Sequence, residues 1–496
     1  MGRAARRSTR GGRRLRGAFP AAFALALSAG CGTARPLARA PSRAPAGGAA
    51  QAWLTTRDQT RLLHREPDLA ITADAAATSP VLTVDTATTY QTMVGFGAAF
   101  TDASAYLIWQ RLAPARREAL LRELFGRDGG GLGLSFMRVP MGASDFSRTH
   151  YTYDDVPAGE RDPALARFSV AADRADKLPV IRRALALNPA LTLVASPWSA
   201  PAWMKTSGSL VGGTLRPDAY GAFGDYFVRF VRAYAAEGVP VAAVTVQNEP
   251  GFEPKDYPGM RLEPAARAAV VARGVGPALA RAGLATQIWD YDHNWDQPAS
   301  PSAVLADPAA RPYVRGVAWH CYGGDVAAQS AVHDAYPDRD AYFTECSGGA
   351  WSTDFGQNLA FLVGRLVIGS TRHWARGVAL WNLALDERAG PHLGGCGNCR
   401  GMVTVHATTG AVTRNVEYYA LAHASRFVRP GAVRVASPAG VDGLASVAFR
   451  NVDDATKVLV VLNTAPASRA FAVRAASGRA FRAALPAGAV ATYVWR

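Results

Sequence analysis

Residues 241–250 read VAAVTVQNEP, and the fold turns on how this stretch is interpreted. The run is short, apolar and rich in small and β-branched residues. It suits a buried strand of a parallel sheet, which reads as continuously apolar rather than alternating. Pro250 cannot continue a hydrogen-bonded ladder, and it biases Glu249 towards an extended conformation. The strand is therefore expected to end there and leave a carboxylate at its C-terminal end. In a βα barrel, the C-terminal strand ends carry the catalytic groups. On this stretch alone, a solvated loop glutamate before a proline reads equally well.

A second stretch shifts the balance. Residues 340–349 read DAYFTECSGG, again a strand-like run ending in a carboxylate, Glu345, followed by a glycine turn. Glu249 and Glu345 lie about three βα units apart, at roughly 30 residues per unit. Two glutamates at the tops of two barrel strands face each other across the mouth. Glycoside hydrolysis needs such a pair, one as proton donor and one as nucleophile or base.

The surrounding chain alternates between strands and helices. Residues 134–141 (LSFMRVPM) carry Arg138 on a strand, and 191–195 (LTLVA) lead into SPWSAPAW with Trp198 and Trp203. Residues 220–237 form an amphipathic helix with Phe223, Tyr226, Phe227, Phe230, Val231 and Tyr234 at three-and-four spacing, so these aromatics belong to the core. A helix over about 263–282, strands QIWDYDHNW and GVAWHCYGG, a helix over 357–370 and strand GVALWNLALD follow. This alternation argues for an α/β fold, a (β/α)8 TIM barrel. From about Val412 short β-rich runs take over, and β segments before Thr92 complete the same sheet module. The expected organisation is a leader over 1–30, a flexible linker over 31–50, N-terminal β segments over 51–91, the barrel over 92–408 and the rest of a β-sandwich over 409–496.

The formal charge of +15 is concentrated at the front. Residues 1–50 hold ten Arg and no Asp or Glu. A basic segment followed by the apolar run 18–30 resembles an export signal, and that run is too short to span a membrane. Cys31 follows Leu27-Ser28-Ala29-Gly30 and is the candidate lipidated residue, giving membrane attachment; Ser28 stands where Leu is usual. Arg13-Arg14 is a twin-arginine pair. Seven Arg fall within 1–30, and without them the charge is +8. Charge therefore gives no case for a nucleic-acid partner, and the protein is expected outside the cytoplasm or in the cell envelope. Cys396 and Cys399 in GGCGNCRG make half of a zinc site or a local disulfide; no second ligand pair stands at metal spacing, and in an exported chain the disulfide is favoured. Cys321 and Cys346 are buried thiols or approach one another.

Several stretches together resemble glycoside hydrolase family 30, the glucosylceramidases and related β-glycanases: VGFGAAFTDASA, MRVPMGASDFS, SPWSAPAWMKTSG, QNEP, HCYGG, TECSGG and WNLALDERAGP. The resemblance implies an eight-fold βα barrel with a β-sandwich formed by both chain ends. It implies retaining hydrolysis of a β-glycosidic bond without metal or organic cofactor. It makes Glu249 the acid/base and Glu345 the nucleophile. Asp102, Trp198, Asn248, Tyr322 and Trp381 become sugar contacts, and Arg138 an inward-facing cation beside the nucleophile. The family's animal glucosylceramidases carry Trp where HCY has Cys321, which makes the floor of the site smaller here.

Physical chemistry gives these residues their tasks. Arg138 keeps a nucleophilic carboxylate ionised, Asn248 reaches a sugar 2-hydroxyl, and Trp198 and Trp381 offer flat apolar faces to a pyranose. His320 is a structural hydrogen bonder or a substrate contact. His293 and Asn294 line the rim or close a loop, with the loop favoured; Trp203 is core in preference to a sugar platform; and Asp145, Asp154 and Asp155 are structural or solvated. The leading expectation is a glucosylceramidase-type β-glucosidase acting on a β-glucoside or glycolipid. An endo-β-1,6-glucanase acting on a β-glucan and a non-catalytic glycan-binding protein are the alternatives.

Overall fold

The computed structural model of the chain describes residues 48–73, 80–475 and 478–496. The expected leader, Cys31 and most of the expected linker lie outside the described residues. The linker's expected end at residue 50 is too late, because Ala49–Thr55 is a strand paired with Val490–Trp495.

Eight parallel strands close into a barrel: β1 (Gly95–Ala99), β2 (Phe136–Met141), β3 (Thr192–Pro197), β4 (Ala243–Thr245), β5 (Gln287–Asn294), β6 (Val314–His320), β7 (Asp340–Glu345) and β8 (Ala375–Asn382). Pairing of β8 with β1 completes the cylinder. Each strand is followed by a helix: α1 (Pro114–Phe125), α2 (Lys177–Leu187), α3 (Tyr220–Ala236), α4 (264–281), α5 (Ala299–Ala306), α6 (Ala327–Ala335), α7 (355–370) and α8 (Val416–Ser425). The aromatic stripe of α3 is buried throughout, as its spacing predicts. Inside the barrel, Phe136, Val194, Ala243, Trp289, Tyr342 and Ala379 pack together, with Trp289 stacked on Tyr342 at 3.5 Å between ring centroids. These large rings fill the floor of the cylinder and leave its C-terminal mouth to the polar residues.

Two expectations about the opening stretch need correction. Strand β4 is only three residues long, so Glu249 sits on the loop beyond it. Glu249 is not extended either. Its φ is +46°, in the left-handed region. The Asn248 amide donates to the Pro197 carbonyl, and the Glu249 amide donates to the Asp292 carbonyl. These bonds to neighbouring strand ends override the local preference set by Pro250.

The all-β character expected from 409 begins later, because α8 intervenes. Nine of the ten α8 residues are buried. A helix buried on nearly every side has no polar stripe to give it away in the sequence. The sandwich strands come from both chain ends, as the sequence predicts. Ala49–Thr55, His64–Ala70 and Val81–Thr92 share one sheet path with strands from Val433 to Trp495. The long strand Val81–Thr92 pairs antiparallel with Val433–Ala436 and parallel with Arg469–Ala475, so it links the two layers.

Barrel and sandwich share a continuous core. Trp53 packs on Phe427 at 4.4 Å and Phe96 meets Phe449 edge-on at 6.4 Å. At their junction, His423 of α8 is fully buried between Thr492 and Thr55 of the sandwich. The Thr492 hydroxyl donates to the His423 carbonyl, so it accepts from Nδ1–H, and Nε2 accepts from the Thr55 hydroxyl. This arrangement satisfies a neutral imidazole, and burial lowers its pKa to about 3. An unfolded histidine takes up a proton near 6.5. The contribution to stability is therefore complete above about pH 6.5 and declines as pH falls towards 3. Replacing His423 with Ala removes both ring hydrogen bonds and leaves the buried Thr55 hydroxyl without its acceptor, while Thr492 keeps its bond to the residue-423 carbonyl. The change is expected to lower unfolding free energy by about 1–3 kcal/mol. Denaturant titrations at pH 7 and pH 5 check this: the variant should also lose part of the acid sensitivity of the wild type.

Candidate active site

The mouth of the barrel is built around the side chain of Arg138 on β2, which is wholly buried. Its Nη1 donates to Glu345 Oε2 at 2.5 Å, and its Nη2 donates to Asn248 Oδ1 and Asp292 Oδ2, both at 2.7 Å. Its Nε reaches Ser196 Oγ at 3.2 Å. Asp292 in turn accepts from the hydroxyls of Ser196 and Thr344 at 2.7 Å, and the Thr245 hydroxyl lies 2.7 Å from the same carboxylate. Burial opposes the charge on Asp292, but Arg138 and His320 outweigh it and hold the carboxyl far below the usual range.

His320 at the end of β6 spans two carboxylates. Its Nδ1 lies 3.0 Å from Glu249 Oε1 and its Nε2 lies 3.0 Å from Asp292 Oδ1. Burial alone would lower its pKa; the charge of Glu345 and the hydrogen bonds to Asp292 and Glu249 raise it to about 9. One carboxylate oxygen of Glu249, one of Glu345 and a ring nitrogen of His320 all lie within 4.8 Å of one another. Tyr322 donates its hydroxyl to Glu345 Oε1 at 2.9 Å. The strand ends thus bring together Arg138, Asn248, Glu249, His320, Tyr322 and Glu345, six of the residues singled out from the sequence.

The other three candidates, Trp198, Trp381 and Asp102, have protein partners of their own. Trp198 and Trp381 stack on one another at 4.9 Å and 19°, with the Arg138 guanidinium 4.7 Å from the Trp198 ring. Both are almost wholly buried. Each ring gives one face to the other, and the Arg138 guanidinium lies against Trp198. Asp102 begins the short helix after β1, and both its oxygens are held by Arg148, at 2.8 Å from Nε and Nη2. Burial opposes its charge, and Arg148 lowers its pKa on balance. Cys321 does not leave an open floor. It is joined to Cys346 in a disulfide that ties the residue after His320 to the residue after Glu345. Cys396 and Cys399 form the expected local disulfide.

The structure adds residues that sequence reasoning passed over. Asp292 is the first. Its strand carries Asp290 and Asp292, and simple alternation puts both on one side. Asp290 does face outward, to Arg267 of α4 at 2.9 Å. Tyr291 and Asp292 have φ values of +77° and +55°, and the β5–β6 register shifts between Tyr291 and His293. This bulge turns Asp292 into the barrel. Asp145, expected to be structural or solvated, lies buried at the mouth. Burial, then the charges of Glu345 and Glu249, push its pKa up to about 8. Tyr257 faces the same three carboxylates, with its pKa raised first by burial and then by their charge. His293 packs beside Gly251 behind the Glu249 loop, and Asn294 Oδ1 accepts from the Tyr322 amide. Trp203 is core, its ring N–H donating to Asp154.

Comparison with known proteins identifies this architecture. The Glycosyl hydrolase family 30 TIM-barrel domain matches residues 93–428, and the family's beta sandwich domain matches residues 431–493. The chain belongs to glycosyl hydrolase family 30. Among its family 30 relatives, an endo-1,6-beta-D-glucanase of Aspergillus fumigatus is 37% identical over 434 residues, covering 82% of this chain and 85% of that protein. The lysosomal acid glucosylceramidase of Mus musculus is 31% identical over 461 residues, covering 86% and 85%. The solved structure of the endo-beta1,6-glucanase BT3312 superposes with a TM-score of 0.82 at 33% identity, covering 90% of this chain and 99% of that one. The protein is a family 30 glycosidase.

The Arg138–Asp292 pair gives this family 30 site a direct test. Asp292→Asn removes a buried charge that faces two cations, and breaking a buried pair destabilises by about 3–5 kcal/mol. Thermal unfolding is expected to show this loss. Tyr322→Phe, at a half-exposed position, is expected to leave the unfolding temperature nearly constant while lowering turnover.

Proposed function

We propose that the protein is a retaining endo-β-1,6-glucanase in which Glu345 is the nucleophile and Glu249 the acid/base. The observation that carries the reaction type is the approach of the two carboxylates, with one oxygen of each within 4.8 Å. Retaining enzymes hold their carboxyl groups roughly 5–5.5 Å apart, whereas inverting enzymes need roughly 6.5–9.5 Å to admit a water. Glu345 attacks the anomeric carbon as Glu249 protonates the departing glycosidic oxygen. Glu249 then takes a proton from a water whose oxygen attacks the anomeric carbon, the bond from that carbon to Glu345 breaks, and the sugar leaves with its β configuration kept.

The allocation of roles rests on contacts. Two carboxyls this close titrate as a pair. Group by group, the balance runs against the roles. Burial and the charges of Glu249 and Asp292 raise Glu345 in spite of His320 and Arg138. Burial would raise Glu249, but the hydrogen bond and charge of His320 lower it. We assign the anion to Glu345 because Arg138 touches it directly and does not touch Glu249, and Coulomb energy falls with distance. The pair's proton then belongs on the Glu249–His320 hydrogen bond. Moving it from Nδ1 to Oε1 makes Glu249 the acid and leaves a neutral imidazole whose Nε2–H still serves Asp292.

The substrate assignment departs from the leading expectation of glucosylceramide. The relatives named for β-1,6-glucan are more similar to this chain than the glucosylceramidases, and the disulfide at Cys321 replaces the animal pattern at the mouth. Export is part of the same proposal, supported by two disulfides that form and persist in oxidising compartments.

Digestion of a linear β-1,6-glucan and of glucosylceramide in mixed micelles, run in parallel, tests the reading. Oligosaccharides from the glucan with little glucose from the lipid are expected. Glu345→Gln should lower turnover on the glucan by at least about a thousandfold, with loss of the covalent step. Proton NMR of the first products should show the β anomer. An α anomer would overturn the retaining assignment.

A further inference from the structure

The loop that carries Glu345 continues into an aromatic feature which the reaction at Glu249 and Glu345 leaves unused. Trp351 lies six residues beyond Glu345, before α7, and so on the same face of the barrel. It is 57% exposed, the most exposed large aromatic among the described residues. Phe361 of α7 is 40% exposed. Both line a cavity of about 260 Å³ whose other walls include Ser347, Ser352, Gln357 and Asn358.

Trp351 is held in place rather than hanging free. A Cβ added at Gly349 would fall 2.0 Å from Trp351 Cζ3, so the indole lies directly against the glycine backbone. Residues 348–349 pair antiparallel with 399–400. The Ala350 amide donates to the Asn398 carbonyl at 2.8 Å, and the Ser352 amide donates to the Gly349 carbonyl at 3.1 Å. Arg400, fixed by a forked contact with buried Glu417 at 2.8–3.0 Å, stands behind this turn. The Cys396–Cys399 disulfide closes the strand on the other side. The GGCGNCRG segment, without a role in the chemistry, thus forms the buttress of the Trp351 turn.

We infer that Trp351 and Phe361 form a distal subsite that binds one glucosyl unit of the substrate chain, remote from the bond being cleaved. An indole backed by protein on one side and open on the other is what a pyranose C–H face requires. Hydroxyls and amides around it match a sugar's hydroxyl rim. A ceramide tail would call for continuous apolar walls instead, because burying such polar groups against hydrocarbon is unfavourable. The inference rests on the glucan reading above and specifies how that substrate extends from the mouth. Pre-ordering of the turn lowers the entropy lost when the chain binds.

The test compares the full chain with its Trp351→Ala, Trp351→Tyr and Phe361→Ala variants on two substrates, a long β-1,6-glucan and a 4-nitrophenyl β-glucoside. The ratio of kcat/KM on the polymer to that on the aryl glucoside is expected to fall roughly fivefold in Trp351→Ala, mainly through KM, and to recover in Trp351→Tyr, given about 1 kcal/mol for an aromatic contact. In the Glu345→Gln background, β-1,6-gluco-oligosaccharides should perturb tryptophan fluorescence, and Trp351→Ala should abolish most of that signal. An unchanged ratio in both alanine variants overturns the subsite. So does a loss confined to glucosylceramide in micelles, which would make the occupant an acyl chain. Fluorescence titration by the oligosaccharides without glucan cleavage by the wild type would uphold the subsite and overturn the proposed reaction.

Discussion

Everything at the mouth of the barrel depends on one buried guanidinium. Arg138 supplies the positive charge against which Asp292 remains ionised in the protein interior, and it donates directly to Glu345. Two charges removed from water are stable only when geometry and hydrogen bonding are nearly complete. Here they are. Side chains from six consecutive strands or their ends enter the same network: Arg138, Ser196, Thr245 with Asn248, Asp292, His320, and Thr344 with Glu345. His320 adds a second cation and carries the network to Glu249. The fork of an arginine, with donors at fixed angles, addresses four acceptors at once here, which a lysine ammonium with three donors on a flexible stem cannot do.

The scaffold accepts local strain to keep this network in register. Glu249, Tyr291 and Asp292 all adopt left-handed backbone conformations that non-glycine residues rarely take, each at a cost of order 1–3 kcal/mol. Cross-strand bonds hold them there. The Cys321–Cys346 disulfide fixes the chain directly after His320 and Glu345. Beneath the mouth, the packed rings of Phe136, Trp289 and Tyr342 resist compression. The sandwich braces the outside through α8, whose His423 is satisfied by threonines from both chain ends. Rigidity at the strand ends holds the two glutamates and His320 with one atom of each within 4.8 Å of the others.

Much of this was legible before any coordinates. Apolar runs ending in Glu249 and Glu345, at a spacing of whole βα units, pointed to a barrel with paired carboxylates. Arg138 was identifiable as a charge inside an apolar strand. Other features were hidden for definite reasons. Asp292 escaped because a bulge reverses the alternation that its neighbour Asp290 obeys. Helix α8 escaped because it is buried nearly all round and so lacks a periodic polar face. The tryptophans were identified as residues of the site, but their stacking on each other was not, since Trp198 directly follows β3 and Trp381 lies on β8, far apart in the chain.

The sequence by itself determined the alternation of strand and helix, the two-ended sandwich and the positions of the two glutamates. These depend on local composition and period, which a chain states residue by residue. The tertiary structure decided which partners each charge has, which aromatic rings stack on one another, which cysteines are joined and that His320 spans Glu249 and Asp292. Those properties arise from convergence of segments separated by tens to hundreds of residues, and no local pattern encodes them. Closure of the barrel brings six strand ends to within hydrogen-bonding distance of a common centre, and only that closure turns eight separate strand endings into one site.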